Sequence, residues 1–384
     1  MKKLIAALTA VLLPFLLTGC ELVRTVNLQN RAIVQGVGID WENGEYVVTM
    51  QIFSPEGSGG QTIVDPSKEN AQVITCRGAS VAEAVEKSAL SQGKEFYLGH
   101  NRILVLGQSV TDQPLQGLLS YFINSLDSRP DIGMLATPGK AADILNAGIS
   151  QAILPAMGIE NTIRNAEQSG LSQEVFLIDV LEELAQPHRS TVIPYIALSQ
   201  VEDDKKSLHA IQLEGFGIFG SDGYRGRLQG DPVRGLLFLR DSMHNAVYTL
   251  QNEEYARAAL QLYQSGTRIV PEYTDGKLVF TAEIESHWTL VEKAMNPDRA
   301  FTADTLTRLE TLLEETVAAE CREAFRILVT DYASDAFYLG DLVWKEQPEL
   351  WEQLRVDWPA GIQNSELVCR VEARIDRTGL ENVG

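Results

Sequence analysis

From Ala32 to Asp40 the chain is apolar save for Gln35 and the closing aspartate, the pattern of a buried strand. Glu42-Asn43-Gly44 follows, and Asn-Gly is the strongest short hairpin signal because both residues accept positive φ. Tyr46, Val48, Met50 and Ile52 then alternate with Val47, Thr49, Gln51 and Phe53, which predicts a strand covered on both faces. Ser54 to Asn70 is a polar Gly/Ser/Pro stretch and reads as a surface insertion. Gln72 to Cys76 predicts a third strand, and Ser80 with Glu83 forms a capping box that starts a helix through about Ser91. Arg102 to Leu106 and Ile132 to Thr137 read as strands. Between them Pro114 to Leu126 predicts a helix with Leu115, Leu118, Leu119, Phe122 and Leu126 on one face. Lys140 to Ala147 and Gln173 to Ala185 predict two further helices before "TVIPYIAL". Strands alternating with helices beside a hairpin imply a mixed sheet.

Ser199 to Leu208, with the unbroken charged run Glu202 to Lys206, reads as a linker between a domain at 20–198 and another at 209–384. Beyond it the pattern restarts. Ala210 to Phe219 and the residues from Arg225 flank a Ser221-Asp222-Gly223 turn. Thr267 to Tyr273 and Lys277 to Val291 flank Asp275-Gly276. One long helix is predicted over about Thr302 to Tyr332, because Leu306, Leu309, Leu313, Val317, Cys321, Phe325, Leu328 and Tyr332 recur at three-four spacing. Its stripe needs a sheet to cover it, and an alternating strand closes the chain. The expected fold class is α+β, multi-domain, with mixed sheets and packed helices.

The first residues change the compartment. Lys2 and Lys3 precede an apolar run from Leu4 to Leu17, fourteen residues. As a helix this is roughly 21 Å long, against about 30 Å of bilayer hydrocarbon. It is short for a span and right for a signal peptide, here 1–19. Leu17-Thr18-Gly19-Cys20 reads as a lipobox, in which the Cys20 thiol takes diacylglycerol and the chain is cut before it. One acyl chain binds a membrane marginally, whereas two hold it stably. Nothing later in the sequence is apolar for long enough to span, so a tethered ectodomain is expected.

The net charge is −20, which repels nucleic acid and anionic headgroups, so neither is an expected broad-face partner. Cys76, Cys321 and Cys369 are odd in number and form no C-x-x-C. A disulfide framework and a cysteine zinc site therefore fit poorly, while one long-range bond stays open without a pairing.

Gly215-Phe216-Gly217-Ile218-Phe219-Gly220 matches G-x-G-x-x-G, but it runs into a hairpin turn where a dinucleotide site needs a helix N-terminus. It reads as a strand whose glycines admit a close neighbour. His100, His188, His209, His244 and His287 make no metal spacing, and His100 reads as a hydrogen-bonded structural residue. Glu182-Glu183 and Glu314-Glu315 read as solvated helix faces. With no nucleophile elbow or Walker loop either, no catalytic residue, cofactor or metal is expected.

Several stretches, in order, carry a resemblance: the lipobox, "AIVQGVGIDWENGEYVVTMQIFSP", "FYLGHNRILVLG", "LPAMGIENTIRNAEQSG", "LEGFGIFGSDGYRGRLQGDPVRGLLFL", and "DAFYLGDLVWKEQPELWEQLRVDWP" after the long helix. Together they resemble the C subunit of bacterial spore germinant receptors, the Ger(x)C or GerAC lipoproteins. Members often have Trp-Asp after the lipidated cysteine, where this chain has Glu21-Leu22. The resemblance implies three lobes, with a division of the first half near Pro138. It also implies a non-enzymatic, lipid-anchored subunit on the outer face of the spore inner membrane. Its partners would be a multi-span A subunit and a transporter-like B subunit, in a complex that responds to nutrient. Only Cys20 transfers as a functional position. The alternative is a solute-binding lipoprotein of a transporter, which requires two α/β lobes around a ligand cleft and hinge. A cell-wall hydrolase would require clustered carboxylates.

Overall fold

The computed structural model describes residues 31–54, 70–111, 113–147, 154–201, 208–251, 255–295 and 302–377. Cys20 and the expected signal peptide lie outside them, as do 55–69 of the polar insertion and 202–207 of the expected linker.

The first hairpin forms because Asn43 (φ 53°) and Gly44 (φ 84°) adopt the left-handed conformation a two-residue turn needs. It joins β1 (Arg31–Glu42) to β2 (Glu45–Phe53). Every residue from Val47 to Ile52 is buried, as a strand covered on both faces should be. β3 (Ala71–Gly78) pairs with β2 and leads into α1 (Val81–Gln92). The Ser80 hydroxyl accepts from Glu83 N at 3.1 Å and caps that helix. β4 (Glu95–Tyr97) and β5 (Ile103–Leu106) run parallel to β1. β6 (Gly133–Ala136) runs parallel to β5, and β7 (Thr191–Val201) to β6. β8 (Leu208–Gly220) and β9 (Gly223–Leu228) then add antiparallel, giving a mixed sheet ordered β3-β2-β1-β5-β6-β7-β8-β9 with β4 beside β1.

Helices cover both faces of this sheet, which is why its central strands read as continuous apolar runs. α2 (Leu115–Asn124) and α5 (Leu177–Leu184) pack with α1 on one side. α3 (Ala141–Asn146) and α4 (Pro155–Glu167) pack on the other, over Ile103, Val105 and Ile196. The α2 stripe is buried from Leu115 to Phe122, but the helix stops at Asn124, so Leu126 is fully exposed and not on a buried face. The end of β1 sets the start of α3. The buried Asp40 carboxylate accepts from Ala141 N at 3.0 Å and Ala142 N at 3.1 Å.

β7 and β8 pair on either side of the expected linker Ser199–Leu208. Val201 pairs with Leu208, and the register runs on through Ser199 with Ala210, while the charged run lies outside the described residues. Pro138 lies between β6 and α3.

A second sheet follows α6 (Pro232–Leu239). Its order is β10 (Ala246–Leu250), β11 (Tyr255–Thr274), β12 (Lys277–Met295) and β13 (Glu366–Arg377). Asp275 (φ 53°) and Gly276 (φ 83°) make the expected β11–β12 turn. β12 and β13 are parallel, so the chain crosses between them. It does so through α7 (Ala303–Phe325), a π-helical continuation at Arg326–Asp331, and three short helices: α8 (Leu339–Glu346), α9 (Pro348–Leu354) and α10 (Trp358–Gln363). The α7 stripe Leu309, Leu313, Val317, Cys321, Phe325 and Leu328 is buried against this sheet, with Phe280, Ile284 and Trp288 opposite. The whole is α+β, with two sheets and one long C-terminal helix.

One acid breaks the stripe's chemistry. Glu320 on α7 is 7% exposed and accepts from the Tyr248 hydroxyl. Burial pushes its carboxyl from 4.5 up to about 7, against the pull of that bond. Below pH 4.5 the group is neutral in folded and unfolded chains alike, so it costs nothing. As pH rises through about 7 the folded protein must hold a buried charge. Stability is therefore expected to fall between these values by up to about 3 kcal/mol. Urea unfolding at pH 5 and 7.5 checks this, because Glu320→Gln should flatten the difference. An unchanged pH dependence in the variant would refute the assignment.

Candidate functional site

The residues singled out in the sequence mostly lie apart. Gly215 to Gly220 is strand β8, hydrogen-bonded on both sides to β7 and β9. At Gly215 (φ +88°) a Cβ would sit 1.9 Å from Leu228 O, so the glycine serves backbone approach, as expected, and no helix receives a phosphate. His100 is exposed, and its ring meets that of Tyr97 edge to face with centroids 5.8 Å apart. His287 pairs with Asp376 at 2.6 Å on the second sheet. Among the described residues no group of three or more His, Cys, Asp or Glu is placed to hold a metal. His188 joins a larger constellation, at the junction between the first sheet and the second lobe.

That junction is built from "SDAFYLGD", Ser334 to Asp341, which follows the π-helical turn. Ala333 (φ 48°) and Tyr338 (φ 59°) are both left-handed, a strained conformation for residues with side chains. The compensation is Asp335, fully buried. Its carboxylate accepts from Leu339 N and Gly340 N at 2.8 Å each, and from Trp358 Nε1 at 3.1 Å. It thereby starts α8 and ties α10 to it. Burial raises its pKa, and those three donors oppose the rise. The Asp335 carbonyl accepts from Ser190 N at 2.9 Å, at the start of β7. Arg225 of β9 donates to Ala333 O at 2.8 Å and to Ser334 Oγ at 3.3 Å.

Two charged clusters flank this knot. Arg240, after α6, donates to Glu183 of α5 at 2.5 Å, and both side chains are almost wholly buried. The Tyr338 hydroxyl donates to the same carboxylate and accepts from Arg240. Burial pushes that hydroxyl up to about 12, so it stays a donor. Glu183 is thus no solvated face, contrary to the expectation from Glu182-Glu183: an adjacent acid pair on a helix points two ways, and one way is inward. Glu314 departs from that expectation too, accepting from Ala373 N at 3.2 Å. In the second cluster Asp341 accepts from Arg189 at 2.7 Å and faces His188 at 3.4 Å. Burial works against its charge, but hydrogen bonds from His188 and Arg189 outweigh it and hold the carboxyl at about 2.

The Arg189–Asp341 pair separates two open clefts. One, of about 570 Å³, is aromatic and mixed in charge, with His188, Trp344, Trp351, Arg355, Asp357 and Trp358 in its walls. The other, of about 390 Å³, is acidic, with Glu174, Asp179, Glu182 and Glu183 facing Arg240 and Tyr338. Glu183 and Asp341 are each held in an ion pair, which suits them to binding the lobes together and not to proton transfer. Sequence reading reached none of Asp335, Tyr338, Arg189 or Asp341. The available signal was an acid just before an apolar turn and a glycine, the wide-spaced form of a helix cap.

Comparison with known proteins matches the same two halves. Residues 24–198 match the spore germination protein N-terminal domain, and 214–379 the spore germination B3/GerAC-like C-terminal domain. Spore germination protein B3 of Bacillus subtilis (strain 168) is 23% identical over 346 residues, covering 89% of each chain. The putative spore germination protein YfkR of the same organism is 24% identical over 297 residues, covering 76% of each. The crystal structure of the GerBC protein superposes with a TM-score of 0.58 at 19% identity, over 89% of this chain and 97% of that one. With both domain models matched in order over most of its length, the chain belongs to the GerAC-like family of spore germination proteins.

Proposed function

We propose that this chain is the lipid-anchored, non-enzymatic C subunit of a germinant receptor and takes part in nutrient-triggered spore germination. The observation that carries the reading is the ordered match of both GerAC-type domains across 24–198 and 214–379. Residues 1–19 are the signal peptide and Cys20 the lipidated first residue of the mature chain. The ectodomain sits on the outer face of the spore inner membrane, beside a multi-span A subunit and a transporter-like B subunit. Anchoring confines the search for these partners to the membrane plane and raises their effective concentration. The solute-binding alternative is disfavoured by the junction. A lobe that closes on ligand needs a hinge free to swing, whereas Arg240–Glu183, Arg225 and Asp335 tie the lobes through buried contacts.

The test is Cys20→Ala at the native locus of the sporulating host. The variant should lose an incorporated fatty-acid label and shift from the membrane to the soluble fraction. Germination through the cognate receptor should slow about tenfold or more, since two chains at ~0.8 kcal/mol per buried CH2 are lost. Normal nutrient germination with an unlabelled, soluble chain would sink the anchoring argument. A lack of co-purification with any multi-span subunit would sink the receptor assignment.

A further inference from the structure

Helix α7 lies along β13 in a register that hydrogen bonds define. Glu310 accepts from Ile375 N at 2.8 Å, and Glu314 accepts from Ala373 N at 3.2 Å. Four helical residues advance about 6 Å and two strand residues about 6.6 Å, so helix and strand run antiparallel nearly in step. Seven residues beyond Glu314 lies Cys321, about 10.5 Å further along the helix. The same distance along β13 reaches Arg370 or Cys369. Side-chain parity decides between them. Leu367, Cys369, Val371, Ala373 and Ile375 share the face packed on the core under α7, and Arg370 points away. The two thiols are neighbours that perturb each other's ionisation, and the Cys321 thiol donates to Gly235 O at 3.8 Å. Cys321 is buried, while Cys369 is half-buried on β13, an edge strand of its sheet.

We propose that Cys321 and Cys369 are a redox pair that closes to a disulfide by exchange with a low-molecular-weight disulfide. Cys369, the less buried sulfur, attacks one sulfur of the oxidant as thiolate, forming a mixed disulfide and releasing one small thiol. Cys321 then gives up its proton and attacks the Cys369 sulfur. The internal disulfide forms and the second small thiol leaves. Two protein thiols are oxidised and one small disulfide is reduced to two thiols, so atoms and electrons balance. The environments fit these roles. The neighbouring Cys321 side chain, with Arg322 nearby, lowers the Cys369 thiol pKa, and burial raises that of Cys321. The closed loop of about 50 residues contains α8, α9, α10 and the Asp335 junction, so oxidation would restrain the lobe contact itself.

The test uses the full chain extracted in detergent and treated with oxidised glutathione, then denatured and alkylated. Peptide mass mapping should recover a Cys321–Cys369 crosslink with Cys76 still alkylated. The thermal midpoint should rise by about 5–10 °C on oxidation. That rise should vanish in Cys369→Ser and persist in Cys76→Ser. Where Cys321→Ser fails to fold, mapping of the unmutated protein still decides the case. Recovery of both cysteines as alkylated thiols after oxidation would overturn the proposal. So would glutathione stalled on Cys369, or a crosslink involving Cys76.

Discussion

Asp335→Ala is expected to destabilise the second lobe by about 3–5 kcal/mol, the cost of leaving buried donors without a partner. The carboxylate receives three, Leu339 N, Gly340 N and Trp358 Nε1, and no solvent reaches it to take over. Asparagine is expected to rescue little. One oxygen accepts from Leu339 N and the other from Gly340 N and Trp358 Nε1. An amide turned either way sets its NH2 against a buried donor. Tyr338 makes the effect non-local. Its left-handed backbone is held by α8 on one side and its hydroxyl by Glu183 and Arg240 on the other. When α8 loses its start, Glu183 and Arg240 lose a shared partner in the first lobe's wall. Differential scanning calorimetry of Asp335→Ala should therefore show an earlier, separate transition for the second lobe. A single transition within 2 °C of the parent, an order of magnitude set by about 1 kcal/mol, would remove Asp335 from this role.

The same residues show what the sequence could and could not disclose. Asn43-Gly44 and Asp275-Gly276 were legible because turn type demands positive φ at fixed offsets, a purely local requirement. The α7 stripe was legible because a long helix repeats its signal many times over. The parallel arrangement of β12 and β13 was not, since pairing across a long crossover leaves no local trace. Short helices α6 and α8 to α10 carry too few turns to show a period. The junction was hidden most deeply. Glu183, Arg240, Asp335 and Tyr338 come from separate elements, and each looks like an ordinary surface residue until the fold buries it.

Gly235→Ala is expected to cost roughly 3 kcal/mol or more, although alanine is the better helix former by about 1 kcal/mol. Gly235 lies in α6, where that helix meets α7 backbone to backbone. An added Cβ would stand 2.1 Å from Glu320 O and 2.7 Å from Cys321 N, and neither atom can rotate aside. The helices must separate by about an ångström, and everything α7 organises moves with them. The Cys321 thiol loses its contact with Gly235 O, now 3.8 Å. Glu320 shifts from Tyr248, and the packing on Phe280 and Trp288 loosens. Gly117 supplies the control. It is exposed in α2, and an added Cβ there would meet no atom within 4 Å, so Gly117→Ala should be neutral or stabilising by up to about 1 kcal/mol. Chemical denaturation of both variants separates the two contributions, because the side chain added is the same and only the neighbour differs. Equal effects at Gly235 and Gly117 would mean that helix propensity governs both sites and that the α6–α7 backbone contact carries no strain. Opposite signs would locate the tightest constraint of the second lobe at that crossing, where a single methyl group decides whether the long helix can reach its sheet.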